Sequence, residues 1–332
     1  MNIFLALAAL IGGFVLLVKG ADWFVEGSSS VAKLLKVPSI IIGLTVVALG
    51  TSLPEASVSI SSALAGKNAL AVSNVVGSNI FNTLVVLGAS AMIAPVCVLP
   101  GSVMKEIPFS ILCAVVLLVA LLLGMNAVPA VAEAGAVTAE YGYTLGRIGG
   151  LVLLAFFAFY MYWQISTALK ARKAGAAEED DIQVLSPVKS VVFIVVGIAC
   201  IILGGNFVVD GASAIAIKFG MSETLVGMTI VAIGTSLPEL VTSMVAAKKG
   251  ESDLALGNAV GSNIFNIIFI LGFSSIISPI TVNFLAVIDT IAVIGVSALV
   301  LVFAATDHKI SRAEGSVLLA SYIGYFIYMF LR

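Results

Sequence analysis

Charge is scarce in this sequence: Asp, Glu, Lys and Arg together make up 10% of its 332 residues, with a net charge of −2. That balance offers no basic surface for nucleic acid. One histidine and three dispersed cysteines, Cys97, Cys113 and Cys200, fall short of the ligand set of a zinc site. The cysteines sit in apolar runs and are expected to pack as small hydrophobes. The N-terminal stretch MNIFLALAALIGGFVLLVKG lacks a basic n-region, and its apolar run continues past Lys19 without a cleavage site, so it reads as a membrane span rather than a signal peptide. Ten-residue segments alternating apolar and polar are missing as well, which argues against a membrane β-barrel.

What fills the chain is apolar. Hydrophobic residues make up 61% and the mean hydropathy is +1.19, far outside the range of soluble domains. A helix needs about 20 apolar residues to cross the hydrocarbon core. Such runs fall near 2–32, 38–65, 69–94, 104–124, 146–169, 188–217, 222–247, 253–278, 283–305 and 312–331. The expectation is an all-α polytopic membrane protein of ten transmembrane helices. Basic residues favour cytoplasmic loops. With the N-terminus outside, Lys33, Lys36, Lys105, Lys170, Arg172, Lys173, Lys189, Lys248, Lys249, Lys309 and Arg312 face inward, against Lys67, Arg147, Lys218 and Arg332 outward. Both termini are therefore placed outside the cytoplasmic (inner) membrane.

The sequence also repeats itself. GLTVVALGTSLPE (43–55) matches GMTIVAIGTSLPE (227–239), and NVVGSNIFN (74–82) matches NAVGSNIFN (258–266), both at an offset of 184 that holds over about 46 residues. Gly20 pairs with Gly204, Glu26 with Asp210, Gly27 with Gly211 and Pro95 with Pro279; a later match at offset 165 leaves the first half a 19-residue excess around 126–143. The expected division is a first repeat over 1–170, a charged cytoplasmic connector over 171–187 and a second repeat over 188–332. Five spans per repeat is an odd number, so the second copy enters the membrane from the opposite side. Inverted repeats with interrupted helices are an architecture of secondary transporters, which bind cargo near the midplane.

Glu55 and Glu239 lie inside the second and seventh spans. A charged carboxylate at the bilayer centre costs about 3 kcal/mol or more, so such acids usually face a cavity. Pro54 and Pro238 cannot donate to the carbonyls of Gly50 and Gly234 and push them aside. If the helix is only kinked, Thr51 and Ser52 share a face with Glu55, as Thr235 and Ser236 would with Glu239. Asn74, Ser78 and Asn82 step by four, as do Asn258, Ser262 and Asn266. Carboxylate, hydroxyl and amide oxygens are ligands for hard cations such as Ca2+ or Na+ and not for copper or zinc. Two glutamates balance one Ca2+ or two Na+, so unlike ions would compete for one set of oxygens.

At GTSLPE and GSNIFN the chain resembles the sodium/calcium exchanger branch of the calcium/cation antiporter superfamily, above all its small prokaryotic members. The resemblance implies a secondary active antiporter, not an enzyme, that needs no cofactor and exchanges Ca2+ for Na+ by alternating access. It implies spans 2, 3, 7 and 8 around the cation sites, with spans 1 and 6 sliding across them. Its implied ligands are Thr51, Ser52, Glu55, Ser78, Asn82, Thr235, Ser236, Glu239 and Ser262, with backbone carbonyls at Ala48 and Ala232. Asn266 stands where many members carry Asp, which leaves open the number of Na+ sites and K+ cotransport; we include Asn266 in the set. H+/Ca2+ exchange in the same fold is the alternative, and a cation channel or a membrane aspartyl protease is weaker. Inorganic cations and lipid are the expected partners, with the monomer as the working unit. Lys19, Asp22 and Glu26 read as interfacial pairing or snorkelling rather than a gate or proton relay, Glu106 and Asp289 as acids without matching partners, His308 as a solvated loop residue. The aromatics of 156–163 and 322–330 read as lipid-facing or interfacial rather than a ligand cage.

Overall fold

The first and longest helix, α1 (Ile3–Leu35), opens on Asn2, whose side chain accepts from the Leu5 amide, and closes on Lys36 in the left-handed conformation. It pairs with α9 (Pro187–Lys218), which starts at the Ser186 cap with Pro in its first turn. Small residues recur every seven positions on both, at Ala6, Gly13, Gly20 and Gly27 against Ser190, Gly197, Gly204 and Gly211. A Cβ on Gly13 would lie 2.7 Å from the Gly204 carbonyl oxygen, one on Gly20 2.9 Å from that of Gly197, and one on Gly27 2.8 Å from that of Ser190. The two helices therefore run antiparallel in backbone contact, the way small-residue stripes pack helices in lipid.

This computed structural model describes residues 2–65, 68–101, 105–131, 137–174, 184–220 and 232–331. The second span is built from α2 (Ser39–Ile42), a π-helical turn at Gly43–Val47, α3 (Ala48–Thr51) and α4 (Leu53–Leu64), with α4 bent 50° from what precedes it. The break falls at Ser52, just ahead of Pro54. The third span is α5 (Asn68–Phe81), a π-helical turn at Asn82–Val86 and α6 (Leu87–Ile93). Then come α7 (Glu106–Leu123) and α8 (Arg147–Ala174). After α9, α10 (Ala232–Gly234) and α11 (Leu237–Lys248) flank a second break at Thr235–Ser236. They are followed by α12 (Ser252–Phe265), a π-helical turn at Asn266–Leu271 and α13 (Gly272–Ile277). The last two helices are α14 (Phe284–Asp307) and α15 (Arg312–Leu331).

Among the described residues seven helices are long and apolar enough to cross a membrane, or eight counting the bent pair 39–64 as one span. Most of the run expected at 222–247 ahead of the break, residues 222–231, lies outside the described residues, as does much of the connector. The chain is mostly helical rather than all-α. Strands β2 (Met125–Val131) and β3 (Val137–Leu145) form an antiparallel hairpin in the first half's 19-residue excess, and β3 pairs with β4 (Ile280–Val282). A short pair, β1 (Val96–Cys97) with β5 (Lys309–Ile310), ties two loops. Val and Thr enrichment there is the physical reason, masked in the sequence by the surrounding apolar spans.

The α5 and α12 helices form the centre. From Leu254 to Phe265 every residue of α12 is buried. Gly257 and Gly43 meet backbone to backbone, since a Cβ on either would come within about 3.0 Å of the other's Cα. Gly261 packs as tightly on Leu44 and Ala48, so α12 presses directly on the broken second span.

Candidate cation site

The two helix breaks bring both copies of GTSLPE to one place. Glu55 and Glu239 are wholly buried, each in the first turn of the helix that restarts after its break, where the helix dipole favours negative charge. The serines cross over. Ser52 Oγ donates to Glu239 Oε1 at 2.9 Å, and Ser236 Oγ donates to Glu55 Oε1 at 2.9 Å. The kinked-helix expectation put each hydroxyl beside its own glutamate; the hydrogen bonds of these serines to a carboxylate run instead to the other half's glutamate. Thr51 likewise reaches Asn258 Oδ1 at 2.9 Å and its own Val47 carbonyl at 3.2 Å.

Helices α5 and α12 add a matched second layer. Ser78 Oγ lies 3.4 Å from Glu55 Oε1 and Ser262 Oγ 3.5 Å from Glu239 Oε1. Asn74 Nδ2 donates to the Glu55 carbonyl at 3.4 Å and to Ser59 Oγ at 3.0 Å, while Asn258 Nδ2 donates to the Glu239 carbonyl at 3.3 Å and to Ser243 Oγ at 2.9 Å. Each contact recurs 184 residues on. The asparagines at 74 and 258 thereby hold the backbone that carries each glutamate. Ala48 presents its carbonyl where expected, taking the Ser52 amide at 3.1 Å and Ser262 Oγ at 3.4 Å. Ala232 begins α10, with its side chain outside the described residues. Thr235 lies in the second break, half-buried.

Oxygen is left over in this cluster. Oε2 of both glutamates, both side-chain atoms of Asn82 and Oδ1 of Asn266 are buried without a hydrogen-bond partner. Neither glutamate takes part in the ion pairs Lys19–Asp22 and Lys249–Asp22. Unpaired buried carboxylates are costly, and carboxylate, hydroxyl, amide and backbone oxygens are the ligand types a hard cation takes.

A cavity of about 540 Å3 lies beside this cluster, lined by Pro54, Ser57, Asn206, Asp210, Thr235 and Pro238 among others, with Thr235 the candidate ligand in its wall. Of the residues 184 positions away from its lining, Ala21, Val25, Thr51 and Thr242 are at most 1% exposed, whereas Val18 is 45% exposed. Next to Ala21 lies the Asp22 pairing. Lys249 Nζ sits 3.4 Å from Asp22 Oδ1 and donates to the Asp22 carbonyl at 2.9 Å, with Lys19 at 3.9 Å; of the expected trio Lys19 and Asp22 pair, and neither ion pair includes Glu26. Asp289 accepts from Tyr325 at 3.2 Å, a partner the sequence did not supply. Cys97 and His308 are exposed.

The aromatic expectation needs one correction. Tyr160 is 2% exposed, stacks on Phe109 at 5.3 Å and donates to the Leu44 carbonyl at 3.2 Å. Leu44 lies in the π-helical turn of the second span; a Tyr among Phe and Trp was the one available signal, since a buried phenol seeks an acceptor. Phe159 and Tyr162 do face outward, at 57% and 71% exposure.

Long apolar helices, two helix breaks and a buried two-carboxylate oxygen cluster beside a cavity define an ion transporter of the membrane. The chain belongs to the sodium/calcium exchanger family: the family model described as sodium/calcium exchanger protein matches residues 5–166 and 189–331. The chain is 40% identical to the putative antiporter CaxA of Alkalimonas amylolytica over 318 residues, covering 94% of this chain and 95% of that one. It is 32% identical to the sodium/calcium exchanger MaX1 of Methanosarcina acetivorans, covering 97% of each. Among solved structures, the sodium-calcium exchanger NCX_Mj soaked with zero Na+ and Ca2+ superimposes with a TM-score of 0.81 at 31% identity, over 99% of this chain and 100% of that one.

Proposed function

We propose that this antiporter exchanges Ca2+ for Na+ at the Glu55–Glu239 cluster by alternating access, with the oxygens of Ala48, Thr51, Ser52, Glu55, Ser78, Asn82, Ala232, Thr235, Ser236, Glu239, Ser262 and Asn266 as its ligand set. The crossed serine–glutamate pair carries this reading: each half donates a hydroxyl to the other half's carboxylate, so neither half has a complete site by itself. Two negative charges match one Ca2+ or two Na+, and a cation entering the cluster finds the unpartnered oxygens already dehydrated and in place.

The reading extends to architecture: ten spans, in inverted repeats over 1–170 and 188–332 joined by the connector 171–187, both termini outside the inner membrane, working as a monomer. The antiparallel α1–α9 stripe and the contacts repeating at offset 184 support it. The cavity then opens outward, and the Lys249–Asp22 side faces the cytoplasm.

Purified protein in liposomes loaded with Na+ tests the exchange. Uptake of radioactive Ca2+ should require internal Na+ and stop when the Na+ gradient is collapsed. Uptake that follows a pH gradient and ignores internal Na+ contradicts Na+ as counter-ion, and downhill Ca2+ flux with no counter-ion contradicts exchange altogether.

A further inference from the structure

Hydrogen bonds around the asparagine of each GSN motif, Asn79 and Asn263, settle which way the amides face. Asn79 Nδ2 donates to the Asn263 backbone carbonyl at 3.1 Å. A carbonyl only accepts, so the Asn79 nitrogen must point there and its Oδ1 away. Asn266 meets that oxygen with its own Nδ2 at 3.0 Å. Thr83 applies the same logic: its hydroxyl donates to the Asn79 carbonyl at 2.8 Å, leaving a lone pair that takes Asn263 Nδ2 at 2.8 Å. Two backbone carbonyls thus dictate the orientation of three side-chain amides, all of them at most 4% exposed.

The outcome differs between the halves. Asn266 has its nitrogen tied to Asn79 and its Oδ1 buried and free, one helical turn beyond Ser262, which faces Glu239. Asn82, its counterpart, has neither amide atom partnered. The cause is a single difference, Thr83 in one half against Ile267 in the other: Thr83 draws the Asn263 nitrogen to itself, and the Asn263 oxygen is left without a partner.

We propose that Asn79 is a positioning residue that turns the Asn266 amide so that its oxygen, never its nitrogen, is presented to the transported cation. This rests on the exchange reading above. An amide free to rotate offers a cation its positive N–H edge half the time, whereas a locked one is a permanent neutral oxygen ligand. Asn79 supplies the lock because its own orientation is fixed by a backbone carbonyl that cannot reverse.

The test is a double-mutant cycle read as the KM for Ca2+ in Na+-driven uptake and as direct binding of radioactive CaCl2 to purified protein. Asn79→Leu should raise the KM about three- to tenfold, the scale of one hydrogen bond, with the maximal rate changed less than about twofold. Asn266→Ala should raise it at least as much, and the double variant should be no worse than Asn266→Ala alone, because Asn79 acts only through Asn266. Should Asn79→Leu not fold, Asn79→Ala carries the same expectation. Thr83→Val is the control: it frees Asn263 but leaves the anchor of Asn79 intact, so the KM should stay within about twofold while thermal stability falls. Multiplying effects in the double variant, or an unchanged KM in the Asn79 variant, overturn the proposal and leave the exchange reading standing. Loss of Na+-driven uptake in the unaltered protein overturns both.

Discussion

The two halves of this chain use the same letters for the same contacts and differ where a transporter must be asymmetric. Ser52 to Glu239 and Ser236 to Glu55 are equal at 2.9 Å, and the Asn74 and Asn258 braces agree to within 0.1 Å or so. At the mouths the halves part. Asp22 binds Lys249, whereas the positions 184 residues away are Asn206, in the cavity wall, and Ala65. On the proposed reading, the matched contacts make a site that either side can reach, and the unmatched ones set which side is open.

The largest break in that comparison should come from its centre. Glu55→Gln and Glu239→Gln are each expected to reduce Na+-driven Ca2+ uptake to background while the protein still inserts and folds; normal exchange in both would refute the site. Next comes the stripe between α1 and α9. Gly20→Leu places a side chain against the Gly197 carbonyl and the Ile201 amide, 2.9 Å from each Cβ position, and overpacking of that kind costs about 1–3 kcal/mol or more, so the melting temperature should drop. Gly12→Leu, on the same helix with nothing within 4 Å, should leave it unchanged.

Asparagine replacements sharpen the comparison further. Asn82→Asp and Asn266→Asp each add a charge and should change the Na+ dependence of uptake. Only Asn266→Asp should also lower thermal stability, because its carboxylate would face Asn79 Oδ1, acceptor against acceptor. The smallest effect belongs to Lys249→Ala. An ion pair whose side chains are a third exposed is worth about 0–1 kcal/mol, so uptake should change by no more than about fivefold, measured as initial rate from each side of the membrane.

Much of the centre was legible in the sequence. Glu55 and Glu239 stood out because an acid in an apolar span is expensive and because the expense occurs twice at one offset. Ser78 and Ser262 followed from steps of four on one helix face. The crossing of Ser52 and Ser236 was not legible: a proline announces that a helix will break, but not the 50° turn that swings a serine onto a distant carboxylate. Asn79 and Asn263 were visible only as letters of a repeated motif, since amide orientation depends on which backbone carbonyl lies opposite. Tyr160 was hidden among aromatic neighbours, and the π-helical turn it anchors has no composition signal. The hairpin at 125–145 was seen as an insertion without its strands.

The central claim is that one cation site is shared by both halves, and equilibrium binding of radioactive Ca2+ to the purified protein, compared with its Glu55→Gln and Glu239→Gln variants, tests it most directly. The account predicts that the unaltered protein binds Ca2+ in competition with Na+ and that either substitution alone abolishes binding. Retention of normal Ca2+ affinity by one variant while the other loses it would place the site in a single half and contradict the account.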